Sequence, residues 1–297
     1  MKAFAELYQA LDASTGTQAK VAAMVAYLRA AAPADAAWAV YFLAGGKPRQ
    51  VVPVALLRTL ACQAAGIPDW LFEESYAVAG DLAETIAYLT PPPTENTTRT
   101  LGAWMEERLA PLRGLPPAEQ AERVLADWRQ LDADQRFLYV KLIGGGFRVG
   151  VSRLLVQRAL AEAFGLDAKV IAHRMMGYTD GKTPPSAARF AALVDPAADA
   201  TRDGVHPYPF FLAHALEVPP ESLGPVSDWQ VEWKYDGIRA QLMRRGSQCA
   251  IWSRGEELVS DRFPELMALA ERLPDGTVLD GEIVVWLDAA TGPAAFA

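Results

Sequence analysis

The chain has 297 residues, of which 51% are hydrophobic, and carries a formal net charge of −8. This length is sufficient for two domains with cores of their own, and the composition is that of a soluble globular protein. The acidic balance argues against a protein that coats nucleic acid, but it is compatible with one local basic face. Two widely separated cysteines, Cys62 and Cys249, exclude a disulfide framework and a thiolate zinc site. Three scattered histidines argue against a dedicated transition-metal site.

The N-terminus lacks the uninterrupted apolar region of a secretion signal, and no stretch reaches membrane-spanning length. We therefore predict a cytoplasmic protein that acts without a membrane, as a monomer.

The first two thirds of the chain have the pattern of a helical domain. From Lys2 to about Asp195, apolar residues recur at spacings of three and four, which is typical of helices with one buried face. Proline and glycine breakers near residues 33, 45–48, 66–68 and 90–93 divide this region into segments of helix length. We predict an all-helical domain over residues 1–200, most of whose apolar side chains form its core.

One segment of this domain is unusually basic. No acidic residue lies between Asp134 and Glu162, and the intervening cations are Arg136, Lys141, Arg148, Arg153 and Arg158. Glycines within the segment allow close backbone approach, and Ser152 is placed to cap the helix that follows. A glycine loop, a helix N-terminus and flanking arginines together suit phosphate groups.

From this segment alone, a glycine-rich turn with solvated arginines is an equally good interpretation. No G-K-[ST] follows the glycines, so the segment is not a nucleotide P-loop. Phosphate contacts carry no base information, so the binding interpretation predicts sequence-independent, salt-sensitive DNA binding. The predicted DNA-binding residues are Lys141, Gly144, Gly145, Gly146, Arg148, Gly150, Ser152 and Arg153.

The pattern changes after Pro196. Residues 196–209 have linker composition, and 210–217 form a short apolar segment. Strand-like alternation predicts strands over 230–236, 239–245, 248–254 and 276–286, with a turn at 246–247 and a helix over 263–273. We predict an α+β domain over residues 201–297, built on antiparallel strands.

The sequence V-E-W-K-Y-D-G-I-R-A-Q contains the strongest candidate for chemistry, Lys234. A free lysine amine has a pKa of about 10.4 and must lose a proton before it can attack. Burial or nearby positive charge favours the neutral amine, and Arg239 and Arg254 are the available cations. Asp236 could orient a group, and Gly237 is expected to leave room for a ligand. Arginines and acids around a lysine suit a polyphosphate with magnesium better than a Schiff base.

Two further short motifs follow in the same domain. Ser253-Arg254-Gly255 ends one predicted strand, and Asp280-Gly281-Glu282 lies within the last one. Each is a common loop or turn sequence when taken alone. Their order after the lysine motif, within one small β-rich domain, makes them informative.

Together the three motifs resemble the covalent nucleotidyltransferases, which comprise ATP-dependent DNA ligases, RNA ligases and mRNA capping enzymes. The lysine motif is especially similar to the ATP-dependent DNA ligases. K-L-I-G-G-G-F-R-V-G-V-S is similar to the DNA-contacting segment of their helical DNA-binding domain, and F-F-L-A-H-A-L-E resembles the lead-in to their adenylation domain. The resemblance implies a multidomain α and α+β protein: an all-helical domain followed by a truncated antiparallel-sheet nucleotidyltransferase domain.

The resemblance also implies a mechanism. Lys234 would take AMP from ATP as a phosphoramidate, pass it to a DNA 5′-phosphate, and the 3′-hydroxyl would displace it to seal a nick. Glu232 would contact adenine, Arg239 and Arg254 the ribose and phosphates, and Asp236 would support the lysine. Glu282 would contact ribose or hold Mg2+. The implied partner is nicked double-stranded DNA, in repair, replication or recombination without distinction.

The later motifs of these enzymes are absent from the sequence, so we expect a fragment that adenylates poorly by itself. Two alternatives remain. An RNA ligase or capping-type enzyme would share the lysine chemistry but usually lacks such a helical domain. A non-catalytic DNA-binding protein with a vestigial nucleotide domain need not have kept all three charged motifs.

Overall fold

A computed structural model of the chain describes residues 1–181, 183–197, 205, 207–211, 214–255, 258–288 and 292–294. These residues fall into two compact units, one within Met1–Ala198 and the other within Asp199–Ala297. The predicted boundary between residues 200 and 201 lies outside the described residues, as do positions 198–204 of the predicted linker and positions 295–297 at the end of the chain.

The first unit is helical. Its helices are α1 (Lys2–Ala13), α2 (Thr17–Ala30), α3 (Pro33–Leu43), α4 (Val54–Ala65), α5 (Asp69–Ala79), α6 (Leu82–Leu89), α7 (Leu101–Ala103), α8 (Pro117–Trp128), α9 (Ala133–Gly144), α10 (Arg153–Phe164), α11 (Ala168–Arg174) and α12 (Ala187–Val194). A π-helical turn, Trp104–Leu109, and a 3-10 turn, Ala110–Leu112, continue α7. The predicted helical character of this region is confirmed.

Side-chain caps explain where several of these helices begin. The carboxylates of Asp81 and Asp132 accept backbone N–H groups at the starts of α6 and α9. The hydroxyl of Ser152 accepts the N–H of Leu155 at the start of α10, as predicted. The apolar stripes of α1 and α2, including Phe4 and Leu28, lie in one continuous core.

The second unit is a small antiparallel sheet with one helix. Its strands are β1 (Ile238–Arg245), β2 (Gln248–Ser253), β3 (Val278–Ile283), β4 (Trp286–Asp288) and β5 (Gly292–Pro293), and its helix is α13 (Pro264–Ala270). Short 3-10 turns occur at Pro220–Leu223, Val226–Asp228 and Ser260–Arg262. β1 is central in the order β2-β1-β3, and β4 pairs with β5 separately.

The two faces of the three-stranded sheet differ. Ala240, Leu242 and Ile251 form one cluster with Ala270 of α13. Alternate residues point to the opposite face, where a second cluster contains Met243 of β1 with Ala250 and Trp252 of β2. Charged side chains of the predicted motifs lie on this second face.

The strand predicted over residues 230–236 does not form. These residues are exposed and pair with no strand in the described part of the chain, and β1 begins only at Ile238. Alternating apolar residues make a strand only when a partner supplies the ladder hydrogen bonds, and none of the described strands pairs with this segment. Separately, none of the described helices is both long and apolar enough to span a membrane.

Candidate functional site

The strand register brings the first and third motifs together. Arg239 lies opposite Glu282, and Gln241 lies opposite Asp280. Paired residues and their second neighbours share a face of an antiparallel sheet, so these four side chains lie on one face. Arg239 Nε donates to Asp280 Oδ1 at 2.6 Å. This hydrogen bond raises the pKa of the Arg239 guanidinium above its ordinary value.

Gly237 makes the close approach of the two motifs possible. Its backbone N–H donates to Glu282 Oε1 at 3.1 Å. A Cβ atom at this position would lie 2.3 Å from the carbonyl oxygen of Ile283, which no side chain tolerates. The space that the sequence suggested for a ligand is therefore occupied by the protein's own β3, and glycine is required for packing of the strand backbones.

The second motif lies beside the first. Arg254 follows the end of β2, and its backbone N–H donates to the carbonyl oxygen of Arg239 at 3.0 Å. Its side chain is exposed. Backbone contacts of Arg239 and Gly237 thus join three separated parts of the sequence around the start of β1.

Lys234 is in a different environment from the one predicted. It is exposed, and Trp233 beside it is 85% exposed, so the expected burial of the amine is absent. Within the described part of the chain, the side chains of Lys234 and Asp236 make no hydrogen bond or ion pair. Glu232 accepts a hydrogen bond from the amide of Gln230. The structure therefore brings the second and third motifs to Arg239 but leaves Lys234 outside this cluster.

The predicted DNA-binding segment forms a glycine loop, residues 144–152, between α9 and α10. Gly145 ends α9 with a φ of 78°, and a Cβ atom there would lie 3.3 Å from backbone atoms of Pro48 and Gln50. Phe147 anchors the loop by stacking on Phe4, with ring centroids 5.9 Å apart. The Arg148 carbonyl accepts the Tyr8 hydroxyl at 2.7 Å, while its side chain is exposed. The contacts of Phe147 and of the Arg148 carbonyl thus fix the loop on the helical core, while the Arg148 side chain points to solvent.

Arg136, counted among the cations of this segment, is not at the surface. It is 2% exposed, and its guanidinium donates to the carbonyls of Ala87, Thr90, Pro91, Trp128 and Leu131. Five carbonyl acceptors satisfy most of its donors, which explains how a charge is tolerated there. Its inclusion in a DNA-facing basic segment was wrong: it joins the proline-rich stretch to α8 and α9.

Two of the predicted DNA-binding cations also have partners within the protein. Lys141 forms an ion pair with Asp81, and its side chain is only 17% exposed. Partial burial acts to raise the pKa of Asp81, but the hydrogen bond from Lys141 and backbone N–H groups of α6 lower it overall. Arg153 donates to the carbonyl of Met175. Of the predicted cations, Arg148 is therefore the one presented most openly.

Sequence reasoning missed basic residues that the fold adds to the glycine loop. Lys20 Nζ on α2 donates to the Gly150 carbonyl at 2.9 Å. Lys47 and Arg49 lie in the loop of residues 45–50 that packs on Gly145, and both are exposed. With Arg113 they line a cavity of about 460 Å3 whose wall is otherwise largely apolar. The signal available in the sequence was G-G-K-P-R-Q, in which a run of glycines is followed by cations, as Gly144–Gly146 are followed by Arg148.

The chain matches two family descriptions. Residues 1–161 match "DNA ligase N terminus", and residues 211–297 match "ATP dependent DNA ligase domain". The chain is 29% identical to a probable DNA ligase of Koribacter versatilis across 96% of its own length and 50% of the relative. It is 34% identical to a probable DNA ligase of Streptomyces avermitilis over 56% of this chain and 32% of that protein. A DNA ligase of Methanosphaerula palustris is 32% identical over 51% of this chain and 27% of the relative. The chain therefore spans half or less of the length of these relatives.

Proposed function

This chain belongs to the ATP-dependent DNA ligase family, and from that premise we propose that the full-length protein seals nicks in double-stranded DNA through a lysyl-AMP intermediate. The observation that carries the proposal is the cluster of Arg239, Arg254, Asp280 and Glu282 at the start of β1, directly after the lysine motif. Such a set of charges is suited to a nucleotide polyphosphate.

In the first step, the neutral amine of Lys234 attacks the α-phosphorus of ATP. A P–N bond forms as the amine loses a proton to solvent, the bond from the α-phosphorus to the bridging oxygen breaks, and pyrophosphate leaves with the electron pair. In the second step, an oxygen of the DNA 5′-phosphate attacks the AMP phosphorus, and the amine leaves as it regains a proton. In the third, the 3′-hydroxyl oxygen attacks the activated 5′-phosphate and loses its proton to solvent; the new P–O bond joins the strands, and AMP leaves as its bond to the 5′-phosphate breaks.

The described residues offer Glu282 and the two arginines to a nucleotide and its magnesium. Glu282 uses one carboxylate oxygen for the Gly237 N–H, which leaves the other for a ribose hydroxyl or a metal. Mg2+ typically takes one or two carboxylates, with substrate phosphates and water completing its shell, and when bound it neutralises phosphate charge. Arg239 and Arg254 would hold the phosphates and ribose, Glu232 would meet adenine, and Asp236 would support Lys234.

The exposure of Lys234 implies that the amine must move before it can attack ATP. The amine must be desolvated or placed near positive charge to attack, and residues 230–236, Lys234 among them, are exposed to solvent. We propose that nucleotide binding, together with the remainder of the full-length protein, brings Lys234 towards Arg239 and Arg254.

DNA binding is assigned to the glycine loop. Backbone phosphates would be contacted by the Arg148 side chain, by the N-terminus of α10, which Ser152 caps, and by the backbone of Gly144, Gly145, Gly146 and Gly150. Arg153 and Lys141 would hold the loop in place through their contacts within the protein. Lys20, Lys47 and Arg49 extend the same surface. These interactions would position the duplex without reading its sequence.

The test is sealing by the full-length protein with ATP and Mg2+ on a nicked DNA duplex and on a matched nicked RNA. We expect the DNA product to form and the RNA product to be at background. Efficient sealing of RNA alone would instead assign the protein to the RNA ligases. Binding of the duplex without any sealing would favour a DNA-binding protein with an inactive nucleotide domain.

A further inference from the structure

Gln241 is a buried polar side chain next to the charged face; it is the last residue of the V-E-W-K-Y-D-G-I-R-A-Q stretch, and the resemblance assigns it no role. It lies on β1, is 2% exposed, and is placed opposite Asp280 by the strand register. A buried amide is costly unless both of its ends are hydrogen-bonded. Gln241 meets this requirement: its Oε1 accepts the backbone N–H of Tyr208 at 2.7 Å, and its Nε2 donates to Asp280 Oδ2 at 3.3 Å.

The direction of this amide is fixed by its partners. A backbone N–H can only donate, so the oxygen of Gln241 must face Tyr208, and the NH2 group is left to face Asp280. The other oxygen of Asp280 accepts from Arg239 Nε at 2.6 Å. The result is a continuous hydrogen-bonded chain from the Tyr208 backbone through Gln241 and Asp280 to the Arg239 guanidinium.

The segment at the far end of this chain is itself attached to the sheet. The Tyr208 hydroxyl accepts from Arg245 at 2.6 Å, and the guanidinium of Arg245 lies 5.7 Å from the Tyr208 ring centroid. Trp252 Nε1 donates to the carbonyl of Val205 at 2.6 Å. Tyr208 is therefore a firm point from which Gln241 can orient Asp280.

We infer that Gln241 is a positioning residue for the nucleotide site: it orients the Asp280 carboxylate that in turn holds Arg239. The inference rests on the proposed function, since it assigns Gln241 to the site in which Arg239 meets the nucleotide. Two hydrogen-bonded oxygens restrict the Asp280 carboxylate more than one, so the Arg239 fork is presented in one geometry before nucleotide arrives.

The decisive variant is Gln241→Glu in the full-length protein, measured as the rate of covalent labelling against ATP concentration. A glutamate keeps an acceptor for the Tyr208 N–H but sets a carboxylate against Asp280. We expect the KM for ATP to rise about tenfold, as for loss of one hydrogen bond to a charged group, with a smaller change in kcat. Gln248→Glu is the matched control, because Gln248 is exposed on β2, and it should leave KM unchanged.

Action through Asp280 is tested by the double variant. In an Asp280→Asn background, Gln241→Glu should add no further increase in KM, whereas multiplied effects of the two changes would overturn the inference. If Gln241→Glu does not fold, Gln241→Met keeps the volume without the hydrogen bonds, and it should raise the KM for ATP when labelling is measured below the melting temperature of the variant.

The outcomes separate the inference from the function on which it rests. A wild-type protein that takes no label from ATP contradicts the proposed function. A labelled wild type with an unchanged KM in both Gln241 variants contradicts the inference alone.

Discussion

The two units use their charged residues in opposite ways. In the helical unit, Arg136 is buried among carbonyls and Lys141 is paired with Asp81. In the sheet unit, Arg239 and Glu282 occupy a partly exposed face and contact groups from separate motifs. The difference shows that a basic residue in a sequence marks a binding surface only if the fold leaves its charged group at the surface.

The same comparison holds for two glycines next to candidate sites. Gly145 lies against the backbone of the 45–50 loop, and Gly237 lies against β3. Both positions require a missing side chain because the protein's own backbone comes close. A glycine beside a functional motif can therefore serve the fold first and the ligand only indirectly.

The largest loss of stability is expected in the helical unit, from Arg136→Met. Removing the guanidinium leaves buried carbonyls of Ala87, Thr90 and Leu131 without donors, at a cost of about 3–5 kcal/mol in the free energy of unfolding. Chemical denaturation of the helical unit measures this cost. Arg158→Met is the control, because Arg158 is exposed and should cost under about 0.5 kcal/mol. Equal effects of the two changes would contradict a structural role for Arg136.

A smaller loss is expected in the sheet unit from Gly237→Ala. The new methyl group would meet the carbonyl of Ile283, so β1 and β3 must separate where Gly237 binds Glu282. Overpacking of this kind costs about 1–3 kcal/mol. The control is Gly281→Ala on β3, where an added Cβ atom meets nothing within 4 Å. Thermal unfolding measures the loss. Equal melting temperatures of the two variants would show that the backbones at Gly237 and β3 are not in close contact.

DNA binding by the glycine-loop surface is tested with two variants. One is Arg148→Ala, and the other combines Lys47→Ala with Arg49→Ala. Removing one cation that binds a phosphate should reduce the slope of log affinity against log salt by about 0.9 for duplex DNA. The measurement is fluorescence anisotropy of a nicked duplex at several salt concentrations. Arg123→Ala serves as control, because Arg123 is exposed on α8 and lies outside the basic segment of residues 136–158. Slopes equal to that of the wild type would remove Arg148, or the 45–50 loop, from the DNA-binding surface.

The smallest effect concerns pH and the Asp81–Lys141 pair. The folded-state pKa of Asp81 is lowered, so the stability it contributes is present above its unfolded pKa of about 3.9 and is lost as pH falls through the folded value. Because Asp81 is partly exposed and screened by solvent, this amounts to about 0.5–1 kcal/mol. Lys141→Met should flatten the acid side of the stability curve between about pH 5 and 3. If stability falls with acid in Lys141→Met as it does in the wild type, the Asp81–Lys141 pair contributes nothing to the free energy of unfolding.

Local patterns predict much of this fold, and long-range pairing explains what they miss. The helical spacing of the first unit, the Ser152 cap and the 246–247 turn are set by neighbouring residues, and all are formed. The register that places Arg239 opposite Glu282 depends on β3, more than thirty residues away, and no local rule gives it.

The same limit applies to the candidate sites. The contact of the 45–50 loop with Gly145 joins distant parts of the chain, so the sequence did not associate Lys47 with the glycine loop. The strand predicted for residues 230–236 required a partner strand, which alternation alone does not supply.

The proposed function requires that Lys234 become covalently attached to AMP. The direct measurement is incubation of the full-length protein with α-labelled ATP and Mg2+, followed by denaturing electrophoresis and acid or base treatment. We predict label that stays on the protein, resists base, is lost in acid, disappears in Lys234→Ala and persists in Lys2→Ala, a change at an exposed lysine of α1. Absence of label in the wild type, or label that survives Lys234→Ala, would contradict the claim.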